Sequence, residues 1–370
     1  MKKILAISGD LGSGGAERVL VNLLNHLSEN NGYKVDLLVV RNDEMSFMPM
    51  LSSNVNVKTL GFGKGESFRK PKIIKLISKV VSIKPDVLFV NNNFFAAFIS
   101  LFGLLLKLLN IKVVWRLTLL HSVNCVGNNS FYKLLFKIFS RTFDAIVTQS
   151  QDMTDDLLKN WSVRQSKVVQ INNPVDIEKV TKMSNEASEI AMDNDCKNYV
   201  MAGRLLHQKG YDILIERLLK FQTSIKYCIY IMGKGPMKDK LEQMIEINGL
   251  ADRVKLLGFQ ANPYSIMAQS DGFILSSRYE GFPNVLLEAN VLGVPVFSNR
   301  CPCGINEIVV EGVNGLTSDM QNQDDFNKTF VQFMTMSFDS QKIVKSVETR
   351  YSFEVILPQY DNVFKRLLKI

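Results

Sequence analysis

Metal and disulfide chemistry have little to draw on in this sequence, which holds three histidines and five cysteines. An odd cysteine count in so large a chain argues against a disulfide framework and fits a reducing cytoplasm. The close pair in Cys301-Pro302-Cys303 has no companion cysteine or histidine pair at ligand spacing, so no metal is expected. A secretory signal is missing too. The two N-terminal lysines precede a short apolar run that leads into glycines rather than a cleavage site. The apolar run over 94–109 is interrupted by Lys107 and is short for a membrane span, which leaves a buried or interfacial helix. The glycines after Ser8 do not make a dinucleotide fingerprint, because Glu17 stands where a third glycine belongs. No Walker lysine follows either. No short repeat or low-complexity tract is present.

What is present is a soluble globular composition, 46% hydrophobic and 22% charged over 370 residues. That length suggests two domains. Charge divides unevenly between them. Residues 1–173 hold 22 Lys and Arg against 12 Asp and Glu, a net +10; the remainder holds 22 against 24, a net −2. A basic first half calls for an anionic partner there.

Short apolar runs alternate with helical patterns. Strands are expected at 3–8, 35–40, 86–90, 111–116 and 144–148, with a helix at 16–29. Such runs imply a parallel sheet covered on both faces. Asn172-Asn173-Pro174 and a polar stretch mark a break. The pattern restarts with strands at 199–202, 227–232, 254–257, 272–275 and 295–297, and helices at 210–220, 236–247 and 283–292. The expectation is an α/β protein of two doubly wound, Rossmann-like domains, 1–173 and 174–350, and a final helix within 351–370. Ligands bind such sheets at the C-terminal strand ends, so two domains would face one central cleft.

The loops after strands therefore carry the chemistry. In the first, Gly14 and Gly15 open a helix where a backbone can approach a phosphate or sugar, although a plain tight turn has the same spacing. The second runs from Gly203 to Gly210. Arg204 offers a rigid fork and Lys209 a point charge, suited to a leaving diphosphate without a metal. Two merely solvated cations there would oppose the helix dipole. The third loop, Ser276–Glu288, is the most informative. Pro283 suits a helix start but donates no N–H, so Asn284 and Val285 are the better donors to an anion. Glu288 lies inside an apolar helix and needs a partner such as a ribose diol. Glu280 sits where a sugar on that phosphate would lie; two ordinary helix-end glutamates are the plainer alternative. The fourth loop places Gly304 near a ligand and Glu307 toward it. Asp193-Asn194-Asp195 resembles a metal-binding Asp-x-Asp but precedes a strand, so it is read as a solvated loop. His121 ends an apolar strand pattern and is open to a ligand-facing or a packed role.

Seven segments occur in an order that resembles glycosyltransferase family 4, over nearly the whole chain. They are GGAERVL at 14–20, NNPVD at 172–176, GRLLHQKGYDILI at 203–215, GKGP at 233–236, LGFQANPY at 257–264, SSRYEGFPNVLLEA at 276–289 and GVPVFSN at 293–299. Glu280 and Glu288 meet the family's Glu-x7-Glu signature. The resemblance implies a GT-B fold and a retaining, metal-independent transferase using a nucleotide-diphosphate sugar, with no cofactor; the expected pathway favours a UDP-sugar. It implies that Arg204 and Lys209 hold the diphosphate, Glu288 the ribose, and Glu280 the transferred sugar. His121 resembles the histidine beside the reacting sugar. Gly14, Gly15, Gly203, Gly281, Phe282, Asn284 and Val285 would line the donor, and the base would sit near Gly258 and Phe259. The last helix would cross back to the first domain.

For the acceptor, Lys133, Lys137 and Arg141 recur every four residues among apolar neighbours, as in a helix lying on anionic membrane, or in a core helix with a basic edge. Arg69, Lys70, Lys72, Lys75 and Lys79 add a second basic cluster. The expected acceptor is a polyprenyl-diphosphate-linked glycan of O-antigen or capsule synthesis, met at the inner face of the cell membrane by a cytoplasmic, peripheral protein. No nucleic-acid module is recognisable. A nucleotide-sugar epimerase and a catalytically silent partner subunit share the architecture and stand as alternatives.

Overall fold

The computed structural model describes residues 1–12, 14–29, 32–63, 70–124, 138, 140–188, 190–302 and 304–370. It divides into two compact units, Met1–Asn173 with Ile356–Ile370, and Pro174–Val355.

The first unit is built on a parallel sheet of β1 (Lys2–Ser8), β2 (Tyr33–Arg41), β3 (Asn56–Phe62), β4 (Val87–Val90), β5 (Lys112–Arg116), β6 (Ala145–Thr148) and β7 (Val168–Gln170). Their order is β3-β2-β1-β4-β5-β6-β7. The central strands are apolar without alternation because both faces are covered, and Ile4, Leu5, Ala6 and Ile7 are all fully buried. The helix Gly15–Glu29 buries Val19, Leu20, Leu23, Leu24 and Leu27, the spacing of one helical face. The helix Phe353–Leu368 brings the chain end to this unit. Its Tyr360 and Phe364 pack edge-on against Phe89 of β4.

The second unit repeats the plan with β8 (Lys197–Ala202), β9 (Tyr227–Met232), β10 (Val254–Gly258), β11 (Gly272–Leu275), β12 (Val296–Asn299) and β13 (Gly315–Ser318). The order is β10-β9-β8-β11-β12-β13, all parallel. Tyr199, Phe297, Phe326, Phe330 and Phe333 form an aromatic cluster under one face. On the other face Phe273, Leu286, Leu287 and Val347 close the core.

In both sheets the strand order reverses once, between β1 and β4 and between β8 and β11. At such a point the two following loops turn to opposite faces and open a crevice at the strand ends.

Candidate active site

At the switch point of the second unit, the loop after β8 and the loop after β11 are laced together. Lys209 Nζ donates to Glu280 Oε1 at 2.6 Å, and Ser277 Oγ donates to the same oxygen at 2.6 Å. Both Lys209 and Glu280 are largely shielded from water, with 19% and 9% of their side chains exposed. An ion pair this dry is strong only when its remaining lone pairs are met, and Ser277 meets one. The hydroxyl of Tyr211 beside them is pushed up, by burial first and then by the Glu280 charge.

The lacing continues along both loops. Arg278 grips Asp212 with two bonds of 2.8 and 3.0 Å, and also donates to the His207 carbonyl at 2.7 Å. Burial alone would raise the Asp212 carboxyl; the bonds and charge of Arg278 outweigh it and hold the group below its ordinary value. Gln208 Nε2 donates to the Tyr279 carbonyl, and Ser276 Oγ to that of Lys209. Gly210 makes this approach possible. Its φ is +64°, and a Cβ there would lie 2.1 Å from the Ser276 carbonyl oxygen.

The other residues expected to bind a donor in this unit lie on the loops and helix starts that follow its strands. Arg204 is exposed, and no ion pair to it is found among the described residues. Gly203 lies under the backbone of Gly233, whose own Cβ would fall 1.9 Å from the Gly203 carbonyl oxygen. Gly258 ends β10, and the exposed ring of Phe259 carries Lys234 Nζ 4.9 Å from its centroid. Asn284 and Val285 open the helix Asn284–Val291, and Glu288 is buried within it beside Leu286, Leu287 and Ala289. Gly281 is buried, as is Phe282, whose ring turns into the core against Tyr351. Only the backbone of Phe282 is therefore placed to meet a ligand. The Glu307 carbonyl takes bonds from Arg350 and Tyr351.

In the first unit, Gly14 and Gly15 lie at the start of the helix that follows β1, at the other switch point. His121 is buried, edge-on to Trp161 at 4.4 Å and to Trp115 at 5.6 Å. Burial moves its pKa from the ordinary 6.5 to about 4, against a smaller opposite pull from Asp156. At neutral pH it is thus a neutral imidazole. Asp156 accepts from the Ser122 amide and from Asn160, and Trp161 Nε1 donates to Ser122 Oγ at 3.0 Å. This ties the His121 turn to its neighbours.

The sequence and the fold match known proteins. The model of Glycosyltransferase Family 4 matches residues 13–179, and that of Glycosyl transferases group 1 matches residues 184–350. The chain belongs to glycosyltransferase family 4. A Campylobacter jejuni relative is 29% identical over 92% of this chain and 91% of its own. It is an N-acetylgalactosamine-N,N'-diacetylbacillosaminyl-diphospho-undecaprenol 4-alpha-N-acetylgalactosaminyltransferase. The Escherichia coli O-antigen biosynthesis glycosyltransferase WclY is 29% identical over 48% of this chain and 54% of its own. The crystal structure of Anabaena HepE with UDP and glucose superposes with a TM-score of 0.76, at 18% identity, over 99% of this chain and 100% of the other. The fold is GT-B, with two Rossmann-like units, and the protein is a glycosyltransferase.

Besides Ser277, sequence reasoning misses a residue of this glycosyltransferase that belongs with the functional loops. Arg116, at the end of β5, is fully buried. It donates to Asn91 Oδ1 and Asn173 Oδ1 at 2.7 Å each, and to Tyr360 Oη at 3.1 Å. Asn91 follows β4 at the switch point and donates to the Ala16 carbonyl. The available signal is an arginine closing the apolar run VVWR, a charge too costly to bury without several acceptors. Among the membrane candidates, Arg141 is exposed in a 3-10 turn, Ser140–Thr142, while Lys133, Lys137 and Arg69 lie outside the described residues. Lys72 and Lys75 both stack over Phe62, at 4.9 and 5.2 Å.

Proposed function

We propose that this glycosyltransferase moves a hexose or N-acetylhexosamine, with retention, from a UDP-sugar to a polyprenyl-diphosphate-linked glycan in O-antigen or capsule synthesis. The observation that carries the reading is the Lys209–Glu280–Ser277 cluster, contributed by the two loops of the switch point. A diphosphate arriving there takes Lys209 and Arg204 as its countercharges. Glu280, released from Lys209, then faces the sugar hydroxyls as an acceptor. Glu288 holds the ribose.

The anomeric C–O bond to phosphate breaks as an acceptor hydroxyl approaches from the same face. The new C–O bond forms there, and the hydroxyl proton passes to the departing diphosphate. Arg204, Lys209 and the N–H groups of Asn284 and Val285 stabilise the charge that develops on that diphosphate. Glu280 is engaged by a cation and a hydroxyl, which favours an orienting role over that of a nucleophile. His121, neutral at working pH, suits hydrogen bonding rather than charge compensation. In this reading the chain's own cations replace a metal, so chelators leave the rate unchanged. The Campylobacter relative is named for a diphospho-undecaprenol-linked acceptor, and the Anabaena protein binds UDP in its crystals; both support the substrate classes.

Thermal unfolding with UDP, GDP, ADP and NAD, on wild type and Glu288→Ala, tests the donor site. Stabilisation by UDP alone, lost in the variant, is the expected result. NAD selectivity returns the epimerase, and no response returns the silent subunit. The anomeric coupling constant of the product, read by proton NMR, decides retention.

A further inference from the structure

We infer that Asp193, Cys196 and Cys228 form a binding site for a thiophilic divalent cation of the zinc class, at the end of the second sheet opposite the donor loops. A carboxylate oxygen of Asp193 and the two Sγ atoms all lie within 4.8 Å of one another. The sulfurs are 2.8 Å apart. Sequence spacing hides the site, because the cysteines are 32 residues apart. Asp193 stands in a segment that reads as a solvated loop. The fold supplies the proximity. β8 and β9 pair with Asn198 opposite Cys228, and Cys196 lies two residues before Asn198 on the same face.

The turn that holds these donors is fixed. The Asp193 amide donates to Tyr230 Oη at 3.2 Å, and Asn198 Nδ2 donates to the carbonyls of Asp193 and Cys196 at 2.8 and 3.1 Å. Asn198 is itself buried, with 7% exposed, and its Oδ1 meets no donor among the described residues. A buried acceptor in that state needs a donor, and a cation-bound water is one.

The donor set fits such a cation: zinc accepts sulfur and carboxylate oxygen together, and a dication draws both thiols into the thiolate form and releases their protons. Zinc–sulfur bonds of about 2.3 Å in a tetrahedron hold two sulfurs about 3.7 Å apart. Loading therefore opens the pair by about 1 Å, within reach of side-chain rotation. Two thiolates, one carboxylate and one water complete four-coordination. β8 runs six residues, Lys197–Ala202, between this site and Gly203. At about 3.3 Å per residue that is roughly 20 Å, so the cation anchors the start of the donor unit and takes no part in transfer.

Cadmium titration of the fully reduced chain tests the site, following thiolate-to-metal absorbance and proton release. Wild type should saturate at about one cation per chain with about two protons released. Cys196→Ser and Cys228→Ser should each abolish this phase, Asp193→Asn should weaken it at least tenfold, and Cys301→Ser should leave it intact. Zinc should also protect Cys196 in the wild-type chain from alkylation, which reads the site even where a variant folds poorly. An absorbance phase that survives both Cys196→Ser and Cys228→Ser would overturn the assignment. So would unchanged alkylation of Cys196 in saturating zinc, or a Cys196–Cys228 disulfide that persists under reducing conditions.

Discussion

His121 shows how burial decides what a residue can do. Its sequence context left a packed and a ligand-facing role equally open, and only the two tryptophans against it explain its chemistry. Because the folded pKa lies below the unfolded one, the unfolded chain gains a proton first as pH falls. The stability that neutral His121 contributes is complete above its ordinary 6.5 and is lost as pH falls toward about 4. The full difference is on the order of 3 kcal/mol. Urea denaturation of wild type and His121→Gln across that window should give a steeper loss for wild type by about this amount, and parallel curves would refute it. Glu280 and Glu288 are legible in sequence through their spacing and apolar surroundings. The Arg116 network is not, because its acceptors Asn91, Asn173 and Tyr360 come from three distant segments.

At the scale of elements, strands buried on both faces announce themselves as apolar runs, and those of β1, β4, β9 and β11 are readable directly. The strands that the criterion misses, β3, β7 and β13, are all sheet edges. β3 reads NVKTLGF and β13 reads GLTS, neither a continuous apolar run, since an edge pairs on one side only. The switch-point loops depend on backbone closeness that a sequence shows only as glycine. Gly210→Ala combines a positive φ with a Cβ 2.1 Å from the Ser276 carbonyl oxygen. It should cost about 1–3 kcal/mol. By shifting Lys209 from Glu280 it should also weaken UDP binding at least tenfold. Gly249→Ala is the matched control: its φ is +62° but nothing lies within 4 Å. Denaturation should show a loss of about 1 kcal/mol there, with UDP titration unchanged.

For the whole molecule, the basic excess of the first half gains meaning from the apolar surface beside it. The run at 94–109 folds as two helices, Asn93–Leu101 and Gly103–Leu108. Phe95, Ile99 and Leu106 face the core, whereas Leu101, Leu104, Leu105 and Leu108 face out, with Leu104 and Leu108 exposed by 76% and 82%. No helix among the described residues is long and apolar enough to cross a membrane. With Leu109, five exposed leucines within nine residues still need a reason, because soluble surfaces seldom group them. Cations lie on the same and neighbouring segments. Lys107 lies on the same helix, and Arg141 lies on the turn against which Gly103 packs, where a Cβ would reach Thr142. Lys167, whose pKa is lowered by burial against the opposite pull of Asp144, with smaller contributions from Arg164 and Lys107, donates to the Arg141 carbonyl. An apolar face with cations on neighbouring segments would suit the anionic membrane expected from the sequence, which offers both partners at once. Co-flotation with vesicles containing phosphatidylglycerol should be strong at low salt. It should fall for neutral vesicles and for Lys107→Glu, and should be lost in the Leu104→Glu, Leu108→Glu double variant. Because those side chains are exposed, the double variant should keep its unfolding temperature and its UDP binding. Retained flotation in that variant would move the membrane contact elsewhere, and loss of UDP binding with it would mean that the leucines serve the fold.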